Sequence, residues 1–281
     1  MAYERLSGLL VEDYQYPGDD AAYTALKKIP FMDQLVAAYL KFIVEISTLP
    51  EVRGDHFRVT KETCPEVHQI YRTALDRLDM PEEYPLYIKP AFEYNAMAYG
   101  GKAPFLIIHS SMVQDLNEPE LLGVLGHELG HIKGGHAVYY GMAAYLSQLL
   151  NYLPAGQIIS VGVWGAMMNW QRLQEYSADR AGALAAGSVD AQISVLERLM
   201  GADDTFLDVH FDLEDLLTQN ASFETEQSDM LGKVIYLMQT VGQNHPWSVL
   251  RIKALHDWKR SGEFDAVLKK YAAACIGDGL T

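Results

Sequence analysis

Apolar residues recur at helical spacing along the N-terminal part of the chain. Between residues 20 and 48, Leu35, Tyr39 and Phe42 fall on one face of a helix with a period of about 3.6 residues. Pro30 lies inside this stretch and, because it lacks a backbone N–H, we expect it to break or restart the helix. The pattern predicts a helical N-terminal segment.

The middle of the chain contains shorter apolar runs whose length and alternation are typical of strands. These runs cover residues 56–60, 86–89, 94–99 and 104–109. Gly100 and Gly101 separate the last two runs, and a glycine pair suits a turn. The sequence therefore predicts a small mixed sheet of three strands or slightly more.

Longer amphipathic stretches lie on both sides of this sheet. One helix is predicted to begin at Pro65, and a long one after Asn117, whose side chain can cap it. Helical spacing resumes over residues 171–186 and again after residue 232, with a loop at 243–246. The expected fold class is α+β and mainly helical.

No internal repeat, low-complexity tract or linker divides the chain. We expect residues 61–281 to form a single compact unit, with residues 1–60 as a helical extension packed on it. A hydrophobic content of 49% excludes a disordered protein. Lys and Arg total 22 against 37 Asp and Glu, and this net charge of −15 argues against nucleic-acid partners.

The two cysteines are too few for a disulfide framework or a Cys-rich metal site. The first residues lack a basic region followed by a long apolar core, so no secretory signal is predicted. We expect a reducing, cytoplasmic setting, with peripheral attachment at the inner face of a membrane as the alternative.

Residues 137–170 contain no Asp, Glu, Lys or Arg, and Pro154 and Gly156 interrupt them near the middle. Each half is at or below the length that a membrane span needs, so a buried helical hairpin is predicted. Membrane contact or an oligomer interface is the alternative for this segment. Residues 203–229 are strongly acidic, which favours a solvated surface over a lid or an ion site.

The sequence His127-Glu128-Leu129-Gly130-His131 is the strongest candidate for chemistry. Histidines four residues apart lie on one face of a helix, where both imidazoles can bind one metal ion. Glu128 lies beside them and can reach a water molecule at that ion. Zinc suits such a site because neutral imidazole nitrogens are good ligands for it. The small residues Gly126 and Gly130 allow another element to approach this helix closely.

A third metal ligand has to come from elsewhere in the chain. His136 is five residues after His131, whereas the extended metzincin pattern requires a histidine six residues after it, where Ala137 stands. Glu175 and Asp179 are again four residues apart on one predicted helix. One of these carboxylates can bind the metal while the other accepts a hydrogen bond from a ligand histidine, and Glu175 is the better candidate for the ligand.

These motifs and their order resemble the zinc peptidases related to the CAAX prenyl endopeptidases and the bacterial heat-shock protease HtpX. The matching stretches are residues 124–131 followed by His136, residues 95–100, residues 175–179, and His245-Pro246 with Arg251-Ile252. The resemblance implies a gluzincin-type metallopeptidase domain, with the active-site helix beneath the lower strand of the sheet.

The resemblance also implies roles for individual residues. His127, His131 and Glu175 would bind one zinc ion, with Glu128 as general base and acid and Asp179 as a partner of a ligand histidine.

The other implied roles concern substrate binding and the fourth coordination position of the metal. The strand with Asn95, Ala96, Met97 and Ala98 would pair with an extended peptide. His245 would stabilise the oxyanion or, as a fourth ligand, keep the enzyme latent. Arg251 would brace this loop through a buried ion pair.

The function predicted from these motifs is that of a zinc endopeptidase acting on proteins or peptides. The alternative is a latent or non-catalytic zinc protein with a chaperone-like or assembly role, gated by His245. The membrane-embedded relatives have long spanning helices, whereas this chain has no comparable segment outside residues 137–170. Prenylated or membrane-protein substrates are therefore not expected.

Overall fold

A computed structural model describes residues 5–29, 31–138, 142, 156–201, 214–215, 218 and 247–277. His245, almost all of the acidic run 203–229 and much of the predicted hairpin 137–170 lie outside the described residues.

The N-terminal segment is helical, as the spacing of its apolar residues predicts. It consists of a 3₁₀ turn Val11–Asp13, α1 (Asp19–Lys27), α2 (Met32–Tyr39), a π-helical stretch Leu40–Thr48 and α3 (Leu49–Asp55). The interruption expected at Pro30 falls between α1 and α2, although residue 30 itself lies outside the described residues. The π-helical stretch was not predicted, because no residue in the pattern marks a change in backbone hydrogen-bond register.

The sheet is small and mixed, as predicted, and its described part has four strands. They are β1 (Phe57–Val59), β2 (Leu86–Lys89), β3 (Ala96–Tyr99) and β4 (Phe105–His109), in the order β1-β2-β4-β3. β2 and β4 are parallel, with Leu86 opposite Leu106, while the two outer strands pair antiparallel to their neighbours. β3 is therefore an edge strand.

Helices make up most of the remaining described chain. They are α4 (Pro65–Arg77), α5 (Ser110–Asp115), α6 (Glu118–Lys133), a 3₁₀ turn His136–Val138, α7 (Gly156–Ala186), α8 (Val189–Leu199), α9 (Ser248–Arg260) and α10 (Glu263–Gly277). The mainly helical α+β class predicted from the sequence is confirmed. Among the described helices, none combines the length and the hydropathy that crossing a membrane requires.

Apolar side chains cover both faces of the sheet. Leu106 and Ile108 of β4 point into the larger cluster, which also contains the buried faces of α4, α6 and α8. Phe105 and Ile107 alternate with them and point into a second cluster with α1 and α2. Because each face packs against helices, the sheet is an internal layer that positions β3 beside α6.

Helices α6 and α7 pack at close range through small residues. A Cβ atom added to Gly130 would lie 2.6 Å from the Cβ of Ala181, and one added to Gly126 would overlap the Cβ of Ala185. The close approach predicted for these two glycines is thus made by α7. This packing brings the carboxylates of α7 next to the histidines of α6.

Candidate metal centre

The N-terminus of α6 is fixed by two reciprocal hydrogen bonds. The backbone N–H of Glu120 donates to the Asn117 side chain at 3.0 Å, and the backbone N–H of Asn117 donates to the Glu120 carboxylate at 2.9 Å. The same carboxylate accepts hydrogen bonds from Ser194 and Arg198 of α8. The capping predicted at Asn117 therefore also ties α6 to α8, and α6 is buried from its first turn to His131.

His127, His131 and Glu175 meet between α6 and α7. The Nε2 atoms of the two histidines are 3.1 Å apart. The Glu175 carboxylate lies 3.5 Å from His127 Nε2 and 3.4 Å from His131 Nε2. All three side chains are buried, so their polar atoms converge on one small volume away from bulk water.

The donor atoms of these three residues fit a zinc ion. One atom from each lies within 4.8 Å of the others, which suits a single ion at their centre. Two imidazole nitrogens and one carboxylate oxygen form a ligand set that catalytic zinc sites use, with a fourth position left for water or substrate. In the part of the chain that the structure describes, this is the one such group.

Asp179 supports the ligand His127 from the side away from this centre. Its carboxylate lies 3.1 Å from His127 Nδ1 and accepts hydrogen bonds of 2.7 and 2.6 Å from Arg251 Nε and Nη2. Gln192 donates a further hydrogen bond of 3.1 Å to Asp179. With Nδ1 held by the carboxylate, His127 Nε2 faces the metal position.

The surrounding charges set the protonation of these groups. Burial alone would lower the pKa of His127, but its hydrogen bonds to Asp179 and Glu175 raise it to about 10. Burial lowers the pKa of His131 to about 4. Burial opposes the charge on Asp179, yet Arg251 lowers its pKa to about 2. Metal ligation requires neutral imidazoles, which burial favours at His131 and the two carboxylates oppose at His127.

A cavity of about 140 Å³ opens beside His127. Its polar wall is formed by His127, Glu128, Gln192 and Arg251, together with Asn95 next to β3. Its apolar wall consists of Tyr94, Ala96, Met112, Val124, Val195, Leu196 and Leu199. Glu128 is therefore placed where a molecule in the cavity would meet it.

The structure brings together five predicted residues, namely His127, His131, Glu175, Asp179 and Arg251. Of the predicted substrate-binding residues, Asn95 and Ala96 line the cavity, while Met97 and Ala98 belong to β3 but are not among its lining residues. His245 lies outside the described residues, so its role stays a prediction.

Gln192 is a site residue that the sequence does not reveal. Its side-chain amide packs against Gly123 and Gly182. A Cβ atom added to Gly123 would lie 2.6 Å from Gln192 Oε1, and one added to Gly182 would lie 2.5 Å from it. One glutamine on the amphipathic helix α8 carries no pattern that would mark it. The one signal in the sequence is the pair of glycines opposite it, because a glycine in a helix can indicate that a side chain from another element packs against that position.

Comparison with known proteins agrees with this arrangement. The model of peptidase family M48 matches residues 61–259. The plastoglobule-localized metallopeptidase 48 of the chloroplast of Arabidopsis thaliana is 32% identical over 262 residues, which cover 92% of this chain and 76% of that protein. An HtpX protease homologue of Bifidobacterium longum is 27% identical over 177 residues, or 52% of this chain and 58% of that protein.

Among solved structures, the crystal structure of S. mikatae Ste24p aligns with a TM-score of 0.43 and 15% identity. The alignment covers 84% of this chain and 62% of that one. The family match spans most of the chain and includes the converging histidines and carboxylates. The chain therefore belongs to peptidase family M48, a family of zinc metallopeptidases.

Proposed function

We propose that this metalloprotease is an endopeptidase whose zinc is held by His127, His131 and Glu175, with Glu128 as general base and acid. The observation that carries the proposal is the convergence of these three donors beside a cavity that is lined by His127 and Glu128. The ligand set leaves one zinc position open toward a substrate.

The chain's own residues would perform the proton transfers. Zinc, when bound, supplies a Lewis acid that polarises a carbonyl and lowers the pKa of water to about 7. Glu128 would accept the proton of the attacking water and pass it to the nitrogen of the leaving amine. Asp179 and Arg251 would keep His127 oriented while this occurs, because both are buried and hydrogen-bonded to each other.

The surroundings of the cavity favour an extended peptide as substrate. β3 is an edge strand in the described sheet, and residues just before it line the cavity. A peptide that adds to such an edge gains backbone hydrogen bonds without a requirement for sequence. The apolar wall formed by Val124, Val195 and Leu199 would then accept an apolar side chain next to the cleaved bond.

We also propose a cytoplasmic location for the protein. The Arabidopsis relative is named for plastoglobules, while a cytoplasmic location is predicted for this chain from its composition. Peripheral lipid contact through residues 137–170 stays the alternative. Flotation with liposomes tests it, and protein left wholly in the unbound fraction would exclude that contact.

The test of the catalytic proposal is the substitution Glu128→Gln. The variant keeps the three proposed ligands, so it should bind about one zinc per chain. Its cleavage of an unstructured protein should fall by about 10²–10⁴-fold, since the general base is lost. Elemental analysis measures the zinc, and the appearance of new peptide termini measures the cleavage.

Glu118→Gln is the matched control, because Glu118 lies exposed in the first turn of the same helix. It should cleave at the wild-type rate. If Glu128→Gln with full zinc also cleaves at that rate, the assignment of the base is wrong. If the zinc-loaded wild type binds unfolded chains without cutting them, the non-catalytic, chaperone-like role is favoured instead.

A further inference from the structure

His136 and Asp19 are two buried polar residues next to the candidate metal centre. The Nδ1 atom of His136 lies 3.4 Å from Nδ1 of His131. On the other side of the ring, Nε2 of His136 lies 3.4 Å from the Asp19 carboxylate. His136 is 2% exposed and Asp19 is fully buried. A carboxylate, an imidazole and the ring of His131 thus form one continuous row.

The direction of this row follows from the atoms involved. Nε2 of His131 faces His127 and Glu175, so Nδ1 is the ring nitrogen left to face His136. A neutral imidazole that offers its Nε2 lone pair carries its proton on Nδ1 and donates it. His136 would then accept at its own Nδ1 and donate from Nε2 to the carboxylate of Asp19.

Asp19 is itself held in place by α7. Trp170 Nε1 donates to one oxygen of its carboxylate at 3.0 Å, and Ser177 Oγ donates to the other at 2.6 Å. The backbone N–H of Tyr16 donates to Ser177 Oγ at 2.9 Å, which attaches the chain just before α1. The N-terminal segment therefore delivers a buried carboxylate to a defined point beside α7.

The turn after α6 leaves room for the ring of His136. A Cβ atom added to Gly134 would lie 2.6 Å from both Cε1 and Nε2 of that ring. The two candidate ligand histidines are thus supported differently. His127 contacts the Asp179 carboxylate directly. His131 contacts His136, and His136 in turn contacts the Asp19 carboxylate.

We infer that Asp19 and His136 are positioning residues of the metal centre: Asp19 fixes the orientation of the His136 ring, and His136 holds His131 with its Nε2 toward the zinc position. The inference rests on the proposed zinc site. Asp19 lies outside the residues that match the family model, so the match does not assign this role.

Zinc affinity is the main readout, since it does not depend on turnover. The apparent zinc dissociation constant is measured on the full chain by competition with a chromogenic chelator, and the visible spectrum of the cobalt-loaded protein reports the ligand geometry. Asp19→Asn and His136→Leu should each weaken zinc binding by about 10- to 100-fold. Both should also shift the cobalt spectrum.

Asp20→Asn is the matched control for Asp19, because Asp20 is the next residue of α1 and is exposed. Its zinc affinity should stay within about twofold of the wild type. His136→Gln is the conservative variant, since a glutamine tip offers one acceptor and one donor. It should retain clearly more affinity than His136→Leu.

Gly134→Ala provides a steric test that removes no polar group, because its methyl must displace the His136 ring. Like Asp19→Asn and His136→Leu, it should weaken zinc binding. It also provides a test of the row if Asp19→Asn does not fold. The inference would be overturned, and the proposed function left intact, if the folded variants bound zinc with wild-type affinity. Equal losses of affinity in His136→Gln and His136→Leu would have the same consequence. A wild-type chain that binds no zinc would overturn the proposed function along with it.

Discussion

Arg251 carries its positive charge in the interior of the protein. Both of its charged partners in the site are acidic: Nη2 donates a hydrogen bond to Asp179 at 2.6 Å and forms an ion pair with Glu175 at 3.6 Å. Burial would lower the pKa of the guanidinium, but Asp179 raises it further above its ordinary value. The two side chains therefore form a buried ion pair at neutral pH, and each partner depends on the other.

Removing this cation should be costly. Arg251→Met leaves Asp179 ionised in a buried position, and we expect the free energy of unfolding to fall by about 3–5 kcal/mol. Chemical denaturation at neutral pH measures the change. Arg260→Met, at the exposed end of the same helix, should stay within about 0.5 kcal/mol of the wild type. Equal losses in the two variants would contradict the buried-pair explanation.

Residues that form the candidate site differ in how far the sequence reveals them. His127, His131 and Glu175 are recognisable because helical spacing places metal-binding side chains on one face. Asp19 and Gln192 are not, since Asp19 reaches the site from near the N-terminus through His136, Gln192 reaches it from the next helix, and neither sits in a motif. Such contacts depend on how elements pack, which local patterns do not encode.

At the scale of elements, the close packing of α6 on α7 decides where the carboxylates lie. Gly126→Ala would place a methyl group against Ala185 and close to the backbone at Gly182. We expect it to destabilise the protein by about 1–3 kcal/mol despite the better helix propensity of alanine, because backbone has to move. Thermal and chemical unfolding of chelator-treated protein measure this without a contribution from zinc.

Gly54→Ala is the corresponding control. Gly54 lies in α3, and an added Cβ there would meet nothing within 4 Å. Alanine should stabilise this position by about 0.4–1 kcal/mol, since it restricts the unfolded chain. A stabilising Gly126→Ala would show that the two helices can separate at little cost.

The elements themselves were largely predictable. The run 86–89 is β2 as predicted, and Asn117 caps α6 because its side chain satisfies a free N–H. β3 and β4 begin one or two residues later than the apolar runs suggest. The order of the strands was not predictable, because β1 joins β2 through antiparallel pairing that no local pattern specifies.

At the scale of the whole molecule, the two ends of the described chain are tied together. Asp13 in the first 3₁₀ turn accepts hydrogen bonds from Lys270 and Tyr271 of α10. Burial alone would raise the pKa of Asp13, but these hydrogen bonds lower it below its ordinary value. The folded state therefore prefers the ionised form of this carboxyl group.

This preference predicts how stability changes with acid. The contribution of Asp13 is fully present above the ordinary Asp pKa of about 3.9 and is lost as the pH falls through its lower folded value. Asp13→Asn should lower the melting temperature at neutral pH, and the difference from the wild type should shrink as the pH falls below the ordinary Asp pKa. Calorimetry across this pH range, with chelator present, measures it.

Asp265→Asn, an exposed position in the first turn of α10, serves as the control and should leave the pH dependence of stability unchanged. A difference between wild type and Asp13→Asn that stays constant down to the lowest pH would show that the carboxyl group does not titrate as described.

The attachment of the N-terminal segment limits how the protein can be shortened. Leu6, Leu9 and Tyr14 are buried in the larger apolar cluster, and Arg180 of α7 donates to the backbone carbonyl of Tyr14. A recombinant fragment restricted to residues 61–259 would match the family model, yet it would expose this apolar surface to water. We expect such a fragment to aggregate, so a minimal soluble protease must begin before Leu6.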